Sequence, residues 1–487
     1  MKRKTLKITA VCAALCLAVS AFAGCEKKTS TNSGDTIVWY MRKPVDNMTS
    51  YDVVMKEANK IIKDEIGAEL ELRFVESGMY DQKLNVMVSS GDKFDMCQLP
   101  SGTTLLNYVK DGAFIPVDDL LEKYGQDILS QQDPLVKGKG KYEGKTYGVQ
   151  GQSALSVSRS FVFKKDLVEK YGFDYKSVKC LKDLEPYFKT LKENEPAVIP
   201  MFHGVVDVVN ENWTNSAVSG IVFDEVNEKF VMIYDHKDVV EEARLKNDFY
   251  KKGYIASDAI SRTDEMSEKK SGQYAVMNNN GYYSENGSKS SGVYGFPCVE
   301  TYAGNTRVNL GIAGGVGISS TSKKPEKCMQ LLNIIWKDDY LLNTLAYGVE
   351  GVNYTVNEER TKEIGSKSVN VKSGAEQTWA IWHNWLGPLF NQWDSAWNTI
   401  DALENIKENN QKAKISGASG FVFNDDKMKA EIAKVTATYQ SAYKIFDIGC
   451  MDDFDKYLEN TRAEMKKSGV DTVIDEMNKQ YKEWKNS

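Results

Sequence analysis

Three histidines in 487 residues leave little room for imidazole chemistry. His203, His236 and His383 stand far apart, and none lies in H-E-x-x-H or beside a nucleophile signature. No G-x-S-x-G elbow, calcium loop or cysteine-nucleophile context occurs. Carboxylates are plentiful, but nothing selects two of them as a pair for glycosidic cleavage. Catalysis therefore has no support in the sequence. Cysteine is sparse as well. The five beyond residue 25 (Cys97, Cys180, Cys298, Cys328 and Cys450) are odd in number, widely spaced and free of Cys-x-x-Cys. That pattern suggests neither a zinc site nor a dense disulfide framework and predicts free, mostly buried thiols. Gly144-Lys145-Thr146 matches only the tail of a phosphate loop, because position 139 is Lys139 rather than glycine. The run GIAGGVGIS at 311–319 lacks G-x-G-x-x-G spacing, and its glycines are read as letting a strand cross close to another backbone. No cofactor and no metal is called for.

An uncharged, mostly apolar run lies at the start, from Ile8 to Gly24, behind Lys2, Arg3, Lys4 and Lys7. It is short for a membrane span and flanked as an export signal is. The run ends Phe22-Ala23-Gly24-Cys25, which resembles a lipobox and implies lipidation of Cys25. A Ser/Thr/Asn/Gly/Lys stretch follows at 25–34, a composition that cannot build a core and serves as a flexible tether. Losing the four signal cations takes the formal charge from −6 to −10. Such a chain lacks the basic surface that nucleic acid requires.

Aromatic residues are abundant: 11% of the chain, with 25 tyrosines and nine tryptophans. Flat aromatic faces rimmed by amides and carboxylates suit pyranose rings, which present axial C–H bonds and a border of hydroxyls. The order TIVWYMR, YDVVMKEANKIIKDEIG, AELELRFV, YDQKLNVMVSSG, KFDMCQL alternates strand and helix. It predicts a mostly parallel sheet with ligand beyond the strands' carboxyl ends at Trp39–Tyr40, Glu76–Gly78 and Gln98–Gly102. A second α/β segment follows GKTYGVQ, and the chain beyond 351 is expected to be predominantly helical. About 450 mature residues exceed one compact core, so two lobes are expected.

YDQKLNVMVSSGDKFDMCQLP, KDGAFIPVDDLLEKYG, GKTYGVQ with FVFKKDLVEKYGFD, AYGVEGVNYTV and GVDTVIDEMNKQYKEW occur in an order that carries a family likeness. The chain resembles the extracellular solute-binding proteins of ABC importers, carbohydrate-type family 1, in the Gram-positive lipoprotein branch with a helical C-terminal domain of unassigned role. The resemblance implies an α/β, two-lobed periplasmic-binding-protein-like (type II) fold with discontinuous lobes joined by hinge strands. Lobe one would span 35–150 plus 304–350, and lobe two 151–303 plus 351–487. It implies a monomeric, non-enzymatic protein, anchored outside the cytoplasm by Cys25, that hands an oligosaccharide to ABC permease subunits. A peptide or other non-sugar solute and a polysaccharide-degrading enzyme are the alternatives. Val149-Gln150-Gly151-Gln152 and Gly387-Pro388 depart from the family pattern, which usually has a proline in the first segment and a Gly-Asn pair in the second.

Candidate ligand residues follow from position. One of Trp39 and Tyr40 is expected at the cleft, against core packing for both. Gln98, Ser101 and Thr103 follow the third strand. Gln150 and Gln152 flank a crossover, and either ligand binding or hinge backbone would occupy them. Trp213 has polar neighbours on both sides. Asn279, Asn280 and Tyr283 lie in a polar loop, whereas Trp336 and Trp484 are assigned to packing. The stretch WAIWHNWLGPLFNQWDSAW, 379–397, holds five tryptophans and breaks at Gly387-Pro388. Helical spacing on either side assigns Trp382 or Trp385 to the cleft and Trp393 and Trp397 to the scaffold. Trp379 is open between the two.

Overall fold

The computed structural model describes residues 36–486, apart from 137–140, 208–210, 282, 285 and 310–313. The signal segment, Cys25 and the tether lie outside the described residues. The first strand, β1 (Thr36–Arg42), alternates buried and half-buried positions, as a strand covered on two faces does. The helix Tyr51–Ile66 buries Val54, Met55, Ala58, Ile62 and Ile66 along one stripe. It stops at Gly67, whose left-handed backbone lets its N–H reach Lys63 O. β2 (Glu69–Val75) and β3 (Met96–Leu99) complete the opening α/β run, with β1 and β3 parallel and Trp39 beside Met96.

The chain then crosses to a second sheet through β4 (Ser158–Lys164) and β5 (Ile199–Met201). A small antiparallel sheet follows, made of β6 (Trp213–Asn215), β7 (Ile221–Asp224) and β8 (Lys229–Met232). β9 (Tyr274–Gly281) and β10 (Cys298–Asn305) rejoin the second sheet, and β11 (Gly315–Ile318) returns to the first. The orders are β11-β3-β1-β2 and β10-β4-β9-β5. Each sheet carries its own hydrophobic core, so the chain forms two α/β lobes. The last three helices, Lys429–Ile448, Phe454–Lys467 and Val470–Lys485, build a further core against the small sheet.

The glycine run works as read. β11 lies so close to the first crossover that a Cβ on Gly315 would overlap the Val149 carbonyl. Val149 and Val316 exchange both backbone hydrogen bonds at 2.9 Å. The five cysteines of the described chain are free thiols, with Cys97, Cys298 and Cys328 buried.

The boundary expected at 350/351 is corrected. Trp379, Ile381 and Leu386 pack in one core with Trp39 and Trp336, which belongs to lobe one. Residues 351–399 are also less helical than expected: strands Tyr354–Val356, Ser368–Val371 and Asp394–Ser395 form a three-stranded sheet. The packing changes only with the helix Ile400–Gln411, whose Asn410 bonds the crossover at Ser153 O, Leu155 N and Ser156 N. Helical periodicity misleads in the tryptophan-rich stretch because one helical turn, His383–Leu386, is all that forms before the break. Gly387 ends it at φ +129°, where a Cβ would collide with the Trp336 indole nitrogen.

Trp379 is consequently core, 1% exposed, with its indole N–H on Leu345 O at 2.9 Å and Tyr51 and Phe74 against its ring. Trp397, assigned to the scaffold from its spacing, is 42% exposed. Trp393 is half-buried against Tyr354, with the Lys367 ammonium 3.8 Å above its ring. Trp379→Ala should cost about 3–5 kcal/mol of unfolding free energy, and Trp397→Ala less than about 0.5 kcal/mol, read from urea denaturation of the two variants.

Candidate functional site

Strand ends position the site. At the carboxyl ends of β1 and β3, and against the start of β11, lies a cavity of about 310 Å³. Arg42, Gln98, the crossover Val149–Leu155 and Trp385 line it. Gln98 is held there by Tyr80, whose hydroxyl donates to Gln98 O at 2.8 Å, while its own Oε1 accepts the Arg42 N–H at 2.8 Å. The Arg42 guanidinium rests 4.3 Å over the Tyr80 ring and pairs with Asp81 at 2.6 Å. We call this the hinge cavity. Leu155 also lines a second, inner cavity of about 560 Å³ at the same end of the lobe-two sheet. Arg159 of β4, Trp213 of β6, Arg307 beyond β10, and Tyr439 and Tyr443 of the helix Lys429–Ile448 form its walls.

Several candidates do not reach either cavity. Trp39 is fully buried in the lobe-one core, because Ile37, Trp39 and Met41 point together to one face of a sheet covered on both sides. Tyr40 points to the other face, packs on Phe94 and accepts from Arg73 at 3.0 Å. The residue of β1 that reaches the cavity is Arg42, two positions past Tyr40. Ser101 is exposed beyond β3, outside the walls of both cavities. The side chains of Thr103 and Asn280 lie outside the described residues. Asn279 turns toward the buried Glu300, a carboxyl that burial pushes up and that accepts the Ser160 hydroxyl at 2.7 Å. Tyr283 packs edge-on against Tyr302 at 5.6 Å. Trp382 stands 44% exposed away from both cavities, whereas Trp385 lines the hinge cavity.

The two crossover glutamines divide. Gln152 is wholly committed to backbone: its Nε2 donates to Gln131 O at 2.8 Å and its Oε1 accepts Phe390 N–H at 3.0 Å. Gln150 keeps its side chain on the cavity wall. Gln98, Gln150, Gln152, Trp213 and Trp385 are thus the candidates that the fold brings to the two cavities, Gln152 with its amide already engaged by backbone. Arg42, Leu155, Arg159, Arg307, Tyr439 and Tyr443 escaped the sequence reading. Arg159 had a visible signal, a cation inside the otherwise buried strand SRSFVFK; Tyr439 and Tyr443, some 280 residues away, had none.

Charge in the inner cavity is mostly spent on structure. Lys246 is 1% exposed and pairs with Glu242 at 3.0 Å and Asp447 at 3.4 Å. Burial opposes its ammonium, but Asp447 and Glu242 outweigh that and hold its pKa above the ordinary lysine value. The pair ties the helix Lys237–Lys251 to the helix Lys429–Ile448, and losing one partner would leave a buried charge uncompensated. Arg307 donates to the carbonyls of Glu211 and Ile415, and Asp207 accepts the Leu181 N–H at 2.6 Å. The Arg159 side chain makes no hydrogen bond or ion pair among the described residues, and its buried Nε lacks an acceptor.

Two α/β lobes, joined by crossovers, with adjoining cavities at the carboxyl ends of both sheets, define a solute-binding protein. The chain belongs to the bacterial extracellular solute-binding protein family, whose model matches residues 46–343. A domain of unknown function, DUF3502, matches residues 417–486. A carbohydrate ABC transporter substrate-binding protein of Streptococcus pneumoniae is 29% identical over 474 residues, covering 94% of this chain and 93% of the relative. The crystal structure of the N-glycan transport solute binding protein (NgtS) of S. pneumoniae superposes with a TM-score of 0.76 at 27% identity, covering 92% of this chain and 98% of that one. For NgtS in complex with Man5GlcNAc the TM-score is 0.64, with 93% and 99% covered.

His383, in the turn that presents Trp385, is buried beside Tyr347 with Nε2 3.1 Å from Asn343 Oδ1. Burial pushes its pKa down to about 3, whereas an unfolded chain protonates histidine near 6.5. Between those values the unfolded state binds the extra proton, so this residue lowers stability as pH falls from about 6.5 toward 3. His383→Gln should flatten the loss of urea midpoint between pH 7 and pH 4; an unchanged slope would exclude this assignment.

Proposed function

We propose that the protein captures an oligosaccharide in the cleft between its lobes and delivers it to an ABC importer. The observation that carries this reading is the pair of cavities meeting at Leu155, each with an indole (Trp385 or Trp213) beside a guanidinium and amide groups. Indole faces suit the apolar side of a pyranose, while amide and guanidinium donors and acceptors suit its hydroxyls. The relatives support the same class of ligand: one bears the name of a carbohydrate ABC transporter substrate-binding protein, and NgtS is a structure in complex with Man5GlcNAc.

In this mechanism no bond is broken. Ligand binds first to one lobe, and closure follows because contacts to the second lobe exist only when the lobes meet. The closed form is what the permease subunits receive. Cys25, diacylated after signal cleavage, anchors the monomer at the outer face of the membrane, and residues 25–34 give it reach. Lobe one would comprise 35–150 and 304 to about 399, and lobe two the remainder with the C-terminal helices.

The test is a thermal-shift screen of residues 26–487 against glycans and peptides. A glycan at 100 times its dissociation constant should stabilise the fold by about 2.7 kcal/mol, and the recovered glycan should be unshortened. Stabilisation by peptides with none by glycans would reject the reading, and shortened products would make the protein an enzyme.

A further inference from the structure

The C-terminal segment matched by the domain of unknown function has no assigned task, yet its first helix forms one wall of the inner cavity. Asp447 of that helix is tied to the buried Lys246, which fixes the helix in rotation and register. One and two turns earlier come Tyr443 and Tyr439, the same helical stripe as Asp447. Their rings stack at 4.7 Å with 30° between planes, and both line the cavity together with Trp213. Arg159 projects from β4 into the same space. The other cations there are engaged: Lys246 with two carboxylates, and Arg307 with two carbonyls. A guanidinium with a buried Nε and no acceptor is an incomplete arrangement, because an unmet buried donor costs free energy that a partner would recover. Three aromatic rings and one uncommitted fork of donors suit a ring with an apolar face and several hydroxyl acceptors.

We propose that the C-terminal domain is part of the ligand site. Tyr439 and Tyr443, with Trp213 and Arg159, form a subsite that seats the terminal sugar of the glycan within lobe two. Leu155 marks the passage from this subsite to the hinge cavity, where later sugars meet Trp385. Arg159 supplies hydrogen bonds to the terminal sugar's hydroxyls, and the tyrosine stripe and indole cover its faces. The domain therefore shapes which glycan ends are accepted, while the hinge cavity reads chain length. This assignment rests on the glycan reading above.

Isothermal titration of residues 26–487 with Man1GlcNAc and Man5GlcNAc separates the two ideas. Arg159→Gln and Tyr439→Ala should each weaken both glycans at least tenfold. Trp385→Ala should weaken Man5GlcNAc more than Man1GlcNAc, and Tyr457→Phe, in the same domain but off the cavity wall, should change neither. Hydroxyl-radical footprinting of the wild-type protein adds a readout independent of variant folding: Man5GlcNAc should protect Tyr439, Tyr443 and Trp213. Wild-type affinity in Arg159→Gln and Tyr439→Ala, with unprotected tyrosines and a loss in Trp385→Ala, would overturn the subsite and leave the glycan reading intact. Failure of the wild-type protein to bind any glycan of a broad panel would overturn both.

Discussion

The closeness of backbone to backbone at the hinge is the constraint on which the rest of the molecule depends. Segments distant in sequence, Val149–Gln152, Gly315–Val316 and Asn384–Gly387, run within hydrogen-bonding distance of one another. Val149 and Val316 form a reciprocal pair, and Gln152 N–H reaches Gly387 O at 2.7 Å. Such proximity tolerates no side chain at Gly151, crowded by Asn384 O, or at Gly315, crowded by Val149 O. It brings the end of β3, the crossover and the turn carrying Trp385 to one place, and the hinge cavity is the space left between them.

Amide side chains carry much of the structural work around this hinge. Gln152 stands in for missing backbone partners at Gln131 and Phe390. Asn410 does the same for three residues of the crossover, and Asn333 caps the helix Gln126–Gln131 through Asp127 N–H at 2.9 Å. Irregular segments cannot satisfy their own N–H and C=O groups, so buried crossovers require such substitutes. An Asn/Gln-rich composition is therefore shared between scaffold and ligand, and composition alone overstates the part left for binding.

The tryptophans tell the same story of competing demands. Trp39, Trp336 and Trp379 are buried in the lobe-one core. Trp213 and Trp385 are half-buried on cavity walls, and Trp382 and Trp397 stand exposed. An indole gains most from burial, so a core claims it unless the backbone holds it at an edge. At Trp385 that backbone is one turn of helix pinned between Trp382 and Gly387. The inner cavity shows the complementary case, in which a buried ion pair holds a helix from one end of the chain against a helix from its middle. Lys246 spans that distance because an ammonium buried between two carboxylates has nowhere cheaper to go.

Local pattern was enough for much of the fold. The alternation in TIVWYMR, the stripe Val54–Ala58–Ile62 and the amphipathic terminal helices are read correctly because each element's own period decides it. The placement of Gln98 at a strand's carboxyl end follows from a general rule of parallel sheets and reaches the cavity. The errors share one cause. Whether Trp39 or Arg42 reaches the hinge cavity depends on both sheet faces being covered, and Trp379 packs in one core with Trp39 and Trp336, more than forty residues before it in the chain. Asn279 is drawn toward Glu300, a partner on another strand. Arg159, Tyr439 and Tyr443 meet only after two crossovers and a helix docked by Lys246. The sequence by itself determined the family, the elements and the two-lobed class, since these rest on neighbours along the chain. Only the tertiary structure decided which aromatic and cationic groups share a cavity, since that depends on contacts between residues hundreds of positions apart.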